Sequence, residues 1–284
     1  MALRAVDEKW KPKALDARSE VVPLTPIQKK IACLLSQNRS PKSHLAGGSA
    51  LHFEPNSMRY SKDLDYFHDS EQHVSSAFTK DHKLLVENGY ECVIEMNQPG
   101  YIRCVIQKDN DSTKVEWACD SMWRFMPVQV HRDIGYMLHP IDLAINKVLA
   151  LAGRDEPRDY LDVLHAHEKI LPLGGMIWAA CGKDPGFSPG LLIDLLKRHG
   201  KYHEEDFLRL HLSEKIDLHV LKQKWLKALE GAEVFIREAP PHELGCLYYS
   251  RLKKTFVEPD FQKENQDVVC HYGSLGGIIP KVTI

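Results

Sequence analysis

No apolar run in this 284-residue chain approaches the roughly 20 residues that a helix needs to cross a bilayer, so a membrane-spanning role is not expected. The opening stretch, Met1 to Pro12, carries charges but none of the apolar core that directs secretion, and the expected location is the cytoplasm. No CxxC pair occurs, and the cysteines (Cys33, Cys92, Cys104, Cys119, Cys181, Cys246 and Cys270) are odd in number. That argues against a disulfide framework or a zinc knuckle and for reduced thiols. Charge of one sign is not in excess either. The formal net charge of −2 speaks against a strongly basic nucleic-acid binder, while a local basic patch stays open. Internal repeats and low-complexity tracts are absent.

What remains has the composition of a globular protein, 43% hydrophobic and 27% charged, and enough length to bury a sizeable core. Residues 1–24 read as a polar, charged arm. Helical spacing of Ile27, Ile31, Leu34 and Leu35 after Thr25-Pro26 predicts a helix closed near Asn38-Arg39-Ser40-Pro41. A Gly47-Gly48-Ser49 turn and a short helix follow. Asp63-Leu64-Asp65-Tyr66-Phe67 reads as a strand with its acids on one face and Leu64 on the other. A helix is expected from about Ser70 to Glu87, then strands over Tyr90–Met96, Tyr101–Gln107 and Lys114–Cys119, with a short one near Val128–His131.

After His139-Pro140 the pattern turns helical. Ile141, Ala144, Ile145, Val148, Leu149 and Ala152 form a stripe, and a second helix opens at Pro157. Further helices are expected near 174–180, 189–198, 204–210 and 218–237, with loops and a strand or two in the last forty residues. The predicted fold is α+β: a mixed sheet with flanking helices over 25–137, then a mostly helical domain over 138–284.

The strongest chemical signal is Gly47-Gly48-Ser49 followed by Asp63-Leu64-Asp65. Aspartates at i and i+2 on a strand project to the same side. Their carboxylates suit Mg²⁺ or Mn²⁺, hard cations that complete their shell with substrate phosphates; paired metals activate an attacking hydroxyl and stabilise a leaving pyrophosphate. The glycine turn allows close backbone approach to a triphosphate, with a Ser49 hydroxyl and the positive end of a helix as further contacts. Glu116, an acid within a strand-like run, is the candidate third metal ligand, with Asp120 in reserve.

These residues carry a resemblance. Gly47-Gly48-Ser49 with Asp63-Leu64-Asp65 resembles the signature of the DNA polymerase β-type nucleotidyltransferases. The fuller string, Gly47-Gly48-Ser49-Ala50-Leu51 with Arg59-Tyr60-Ser61-Lys62-Asp63-Leu64-Asp65-Tyr66-Phe67, is similar to the AbiEii/AbiGii nucleotidyltransferase toxins. So is the stretch from Asp142 through Lys147 to Leu151, with Arg154 and Arg158-Asp159-Tyr160-Leu161-Asp162. The resemblance covers about residues 44–67 and 139–165. It implies transfer of a nucleotide from an NTP onto an acceptor, for some relatives the 3′ end of tRNA, and a cognate antitoxin. Asp63 and Asp65 would be metal ligands and Gly47, Gly48 and Ser49 the nucleotide-binding turn. Lys147 would be the family's basic residue, touching nucleotide, and Asp162 its further acid. Glu116 rests on spacing alone.

Each motif also has a plainer reading. Ser49 could be an N-cap, Lys147 a solvated helix lysine at the stripe's edge, and Arg158 with Asp162 a surface ion pair of little energetic weight. Glu116 could be an edge-strand acid without a role. His165 and His167, two apart on a helix, do not share a face and are not expected to bind metal; His44 and His52 read as structural. Lys197-Arg198-His199 with Lys201, and Lys222, Lys224 and Lys227, read as solvated faces that would meet phosphates if the acceptor is RNA. At the level of function the alternatives are a catalytically silent nucleotide-binding module and a small-molecule (aminoglycoside-type) nucleotidyltransferase. The acceptor could be tRNA or protein.

Overall fold

The computed structural model describes residues 24–53, 57–263 and 266–281; all but the last residue of the expected N-terminal arm lies outside them. Helix α1 (Pro26–Leu35) starts where Thr25 and Gln28 cap each other: Gln28 N donates to Thr25 Oγ1 at 3.3 Å and Thr25 N to Gln28 Oε1 at 2.9 Å. There follow β1 (Ser43–Ala46), α2 (Gly47–Leu51), β2 (Arg59–Tyr60), β3 (Asp63–His68), α3 (Glu71–Glu87), β4 (Glu91–Gln98), β5 (Tyr101–Lys108), β6 (Asp111–Cys119), β7 (Trp123–Arg124), β8 (Gln129–His131) and β9 (Gly135–Met137). The second half holds α4 (Pro140–Gly153), α5 (Pro157–Lys169), α6 (Leu173–Lys183), α7 (Pro189–Arg198), β10 (His211–Leu212), α8 (Leu218–Glu238), β11 (Leu247–Ser250), β12 (Thr255–Val257), β13 (Val268–His271) and β14 (Ser274–Leu275).

Seven strands form one mixed sheet in the order β4-β5-β6-β3-β1-β9-β8. Strand β3 lies parallel to β6 and antiparallel to β1. Alternation along β3 buries Leu64, Tyr66 and His68 and leaves Asp63, Asp65 and Phe67 partly open on the other face. The closed face is covered by α1 and α3, and its core gathers Ile31, Leu35, Leu64, Tyr66, Val74, Leu85, Ile106, Val115 and Trp117. Buried Asp81 of α3 is compensated three times over: it accepts from Arg39, from Asn38 Nδ2 at 2.8 Å and from Trp117 Nε1 at 2.7 Å.

A second core, built from α4–α8, includes Val148, Leu151, Tyr160, Leu164, Ile177, Leu196 and Trp225. Chain pairings cross between the two halves. Strand β10 pairs with β2, and β14 pairs with β7. His271 Nε2 lies 2.9 Å from the Phe125 carbonyl oxygen and donates to it.

The structure departs from the expected elements at three places. The segment expected to be helical over 204–210 makes only a short 3-10 turn, Glu204–Phe207, and then turns into β10. Asp206 accepts from His203 N at 2.7 Å and closes the turn locally, while pairing with β2 claims the residues beyond. Helix α4 is not a single stripe. Asp142, Leu143 and Lys147 are buried along with Ile141, Ala144, Ile145 and Val148, because α4 is wedged between α2, α5, α6 and α7. The last forty residues hold a three-stranded sheet, β12-β11-β13, as well as β14, more than the strand or two expected. Among the described residues no helix is long and apolar enough to cross a membrane.

Candidate active site

A cleft of about 630 Å³ opens between the partly open face of β3, β5 and β6 and helices α4 and α5. Its floor is set by sheet register. Asp65 lies opposite Glu116 across the parallel β3–β6 pair, and Glu116 lies opposite Arg103 across β5–β6. Asp63, Asp65 and Glu116 thus share one face, two residues or one strand apart. The Arg103 guanidinium donates through Nε to Glu116 Oε1 at 2.8 Å, so the third acid is drawn toward β5. Asp63 meets the Arg158 guanidinium loosely, at 3.9 Å. For Asp65 no side-chain ion pair forms among the described residues.

Burial, followed by the Glu116 carboxylate, pushes Asp65 up to about 6 and moves Asp63 upward as well. Arg158 pulls both the other way without cancelling the effect. Among the described residues no group of three His, Cys, Asp or Glu side chains is gathered as a ready-made metal cage. A pair of adjacent carboxylates nevertheless fits Mg²⁺, which is commonly held by one or two carboxylates with substrate phosphates and water completing its shell.

The glycine turn does something different from what the spacing suggested. Gly47 has φ +61, and a Cβ there would lie 1.9 Å from Asp65 Oδ2. The residue has no side chain because the Asp65 carboxylate occupies that space. Ser49 does not reach the cleft: it is buried and its hydroxyl donates to the Ala46 carbonyl oxygen at 3.2 Å. Helix α2 is only five residues long, too short to present the strong positive end that the sequence suggested.

Lys147 lines the cleft, whereas Asp162 does not. Neither is a solvated helix residue. Lys147 Nζ donates to Asp159 Oδ1 at 2.9 Å and lies 2.7 Å from Asp162 Oδ2, with its side chain 9% exposed. Burial works against the Lys147 ammonium, yet Asp162 and Asp159 outweigh it and raise its proton affinity. Asp162 is fully buried and does not line the cleft. It accepts from Arg59 Nε at 2.6 Å and Arg59 Nη2 at 2.7 Å, a bidentate pairing, and from His52 Nε2 at 2.7 Å. Burial alone would raise its pKa; Lys147, Arg59 and His52 together hold it well below the usual carboxylate range. The expected Arg158–Asp162 surface pair does not form, since Arg158 faces Asp63 instead. His52, lowered by burial against the pull of Asp162, is neutral near pH 7; it donates to Asp162 through Nε2 and takes a hydrogen bond from Ser57 at Nδ1. Asp120, the reserve acid, lies 3.5 Å from Lys183 Nζ and stands outside the cleft wall.

Sequence reasoning missed Arg59, Tyr101, Arg103 and Arg209, all of which line the cleft. Arg59 lay inside the quoted motif with no role attached. Arg103 could have been found from its place opposite Glu116 once the two strands were paired. Arg209 had no signal, because the segment that carries it was read as an ordinary helix.

No family model and no curated protein matches the sequence. Solved structures do match. A crystal structure of a candidate nucleotidyltransferase from H. pylori superposes with a TM-score of 0.53 at 15% identity, covering 75% of this chain and 95% of that one. JHP933 from Helicobacter pylori matches with a TM-score of 0.49 at 15% identity over 75% and 92% of the two chains. MenT4, a nucleotidyltransferase toxin from Mycobacterium tuberculosis H37Rv, matches with 0.47 at 13% over 76% and 83%. The first of these, together with the mixed sheet and its flanking helices, shows that the chain has a nucleotidyltransferase-like α+β fold.

Proposed function

We propose that the cleft binds a nucleoside triphosphate with Mg²⁺ or Mn²⁺ and transfers its nucleoside monophosphate to a hydroxyl of an acceptor. The observation that carries this reading is the Asp63–Asp65 pair, adjacent on one strand face, elevated in proton affinity, and sunk in a cleft lined by seven basic side chains (Arg59, Lys62, Arg103, Lys147, Arg154, Arg158 and Arg209). A cleft that surrounds two adjacent carboxylates with cations suits a ligand made of a divalent ion and a polyanion.

In the reaction the acceptor oxygen attacks the α-phosphorus, the bond from that phosphorus to the bridging oxygen breaks, and pyrophosphate leaves. Asp63 and Asp65 would hold the divalent cation, which would supply Lewis acidity and charge neutralisation at the phosphates. Glu116 stands on the β5 side of the pair, where an attacking hydroxyl can give up its proton, and Arg103 orients the Glu116 carboxylate. Gly47 closes the turn over Asp65 and keeps that carboxylate in one place. Lys147 acts chiefly by tying α4 to α5 through Asp159 and Asp162, and this fixes Arg59 and Arg154 in the wall. The resemblance to the AbiEii/AbiGii toxins adds the finer part of the proposal: an acceptor that is a tRNA 3′ end or a protein, in a chain that acts as a toxin and has a cognate antitoxin.

Titration calorimetry with each of the four Mg²⁺-NTPs tests the binding half of this reading. Wild type should bind at least one of them in a Mg²⁺-dependent manner, and Asp63→Ala should lose the metal dependence while keeping its melting temperature. Equal NTP affinity in EDTA, or in Asp63→Ala with metal, would contradict it.

A further inference from the structure

The charges of the cleft wall are not equally available. Arg59 and Lys147 are taken up by Asp162, and Lys147 and Arg154 by Asp159. Arg103 is taken up by Glu116, and Arg158 leans on Asp63. Lys62 and Arg209 are exposed, line the cleft and form no ion pair among the described residues. They come from different halves of the chain, on the segments flanking the two-stranded β2–β10 pairing. Tyr60 pairs with His211; Lys62 lies two residues after Tyr60, and Arg209 two residues before His211. Both lie just past the ends of that short pairing, and both line the same cleft.

Both are carried on backbone that is pinned. On the Lys62 side, Gln28 Nε2 donates to the Ser61 carbonyl at 3.1 Å and Thr113 Oγ1 to the Lys62 carbonyl at 3.0 Å. On the Arg209 side, Phe207 is buried against Tyr160 and Tyr202, and Ser213 donates through N and Oγ to the Met58 carbonyl at 3.1 and 3.0 Å. The segment enters through Gly200, at φ +81, where a Cβ would lie 2.9 Å from Trp225 Nε1 and 3.0 Å from Tyr160 Cε2. An anchored strap with a free guanidinium at the cleft wall is built to meet an anion.

We infer that Lys62 and Arg209 form a phosphate subsite that holds the terminal phosphates of the nucleoside triphosphate. This rests on the reading proposed above and extends it. One divalent ion leaves a triphosphate with net negative charge, and the other wall cations are already committed to carboxylates, so the balance falls to these two side chains. Lys62 is the chain neighbour of Asp63, and Arg209 lines the same cleft as the Asp63–Asp65 pair.

The test is equilibrium binding to the full chain and to Lys62→Ala, Arg209→Ala and the double variant, with three probes: each Mg²⁺-NTP, the matching Mg²⁺-NMP, and inorganic tripolyphosphate. Each single variant should weaken NTP and tripolyphosphate binding roughly tenfold, and the double more, because each loses one charge-assisted contact. NMP affinity should stay within about twofold, and melting temperatures should hold, since both residues are exposed. Arg209→Lys should recover part of the loss. Unchanged NTP affinity, an equal loss for NMP, or an effect confined to the acceptor KM would overturn the inference. Arg209-dependent tripolyphosphate binding by a wild-type chain that binds no Mg²⁺-NTP would sink the nucleotidyltransferase reading and leave the anion subsite standing. A wild-type chain that binds neither would overturn both.

Discussion

At the scale of single residues the account turns on Asp65. Its folded-state pKa, about 6, stands above the usual carboxylate value of 3.8, with burial the main cause and the Glu116 carboxylate next. For an acid raised in this way the native state holds the proton more tightly than the unfolded chain. Stability is therefore full below the unfolded value and falls as pH rises from about 4 to about 6. Above that the native state carries a penalty on the order of 1–3 kcal/mol, reduced by solvent at the cleft mouth. Asp65→Asn should consequently melt higher than wild type at pH 7.5 without metal and show no such gain at pH 4. Adding Mg²⁺ should raise the wild-type midpoint and leave the variant unmoved. Thermal melts across pH with and without Mg²⁺ check all three statements, and an Asp65→Asn midpoint below wild type at pH 7.5 would count against them. Gly47 gives a second test. Gly47→Ala puts a methyl group into the Asp65 carboxylate and forces an L residue to φ +61. The expected result is loss of metal-dependent nucleotide binding with a melting temperature lower by several degrees, read by calorimetry and by melting of the same sample.

At the scale of elements the wall formed by α4 and α5 depends on Asp162. It was expected to be a site acid; it is the buried anion to which Arg59, Lys147 and His52 all point. Removing it leaves the buried Arg59 guanidinium without its carboxylate and Lys147 with Asp159 alone, which costs about 3–5 kcal/mol. Asp162→Ala should unfold at markedly lower denaturant concentration than wild type, whereas Asp63→Ala, in the open cleft, should not. Equal midpoints for the two variants in urea titrations would contradict the assignment. The elements themselves were largely legible. Thr25 with Gln28, Ser70 and Pro157 mark helix starts through local chemistry that needs no tertiary partner. Alternation fixed which face of β3 bears the acids. Illegible were those features that distant chain decides. The 204–210 segment has helical spacing but is captured by β2. Lys147 looks like a stripe-edge lysine until α5 brings two aspartates to it. Ser49 looks like a phosphate contact until the turn is seen to point it at Ala46.

At the scale of the whole molecule a chain of net charge −2 concentrates cations in one cleft, with Arg209 delivered from beyond residue 200 to a wall begun at residue 47. The two cores are cross-tied by β10–β2 and β14–β7. Composition could report only the average charge; the uneven distribution arises from strand register and from pairing across some 150 residues of sequence. On the proposed reading the wall cations attract the ligand, so Mg²⁺-NTP affinity should fall as ionic strength rises. Binding that is indifferent to salt between low and physiological concentrations would show that the cations of the wall are not what holds the ligand. The most direct measurement of the central claim compares two labels. The protein is incubated with Mg²⁺ and cellular RNA and protein, once with α-³²P-NTP and once with γ-³²P-NTP. The account predicts label on a macromolecule from the α-labelled nucleotide only, with γ-label appearing as pyrophosphate, and neither product from Asp63→Ala. Transfer of γ-label to a macromolecule, or α-label transfer that persists in Asp63→Ala, would contradict it.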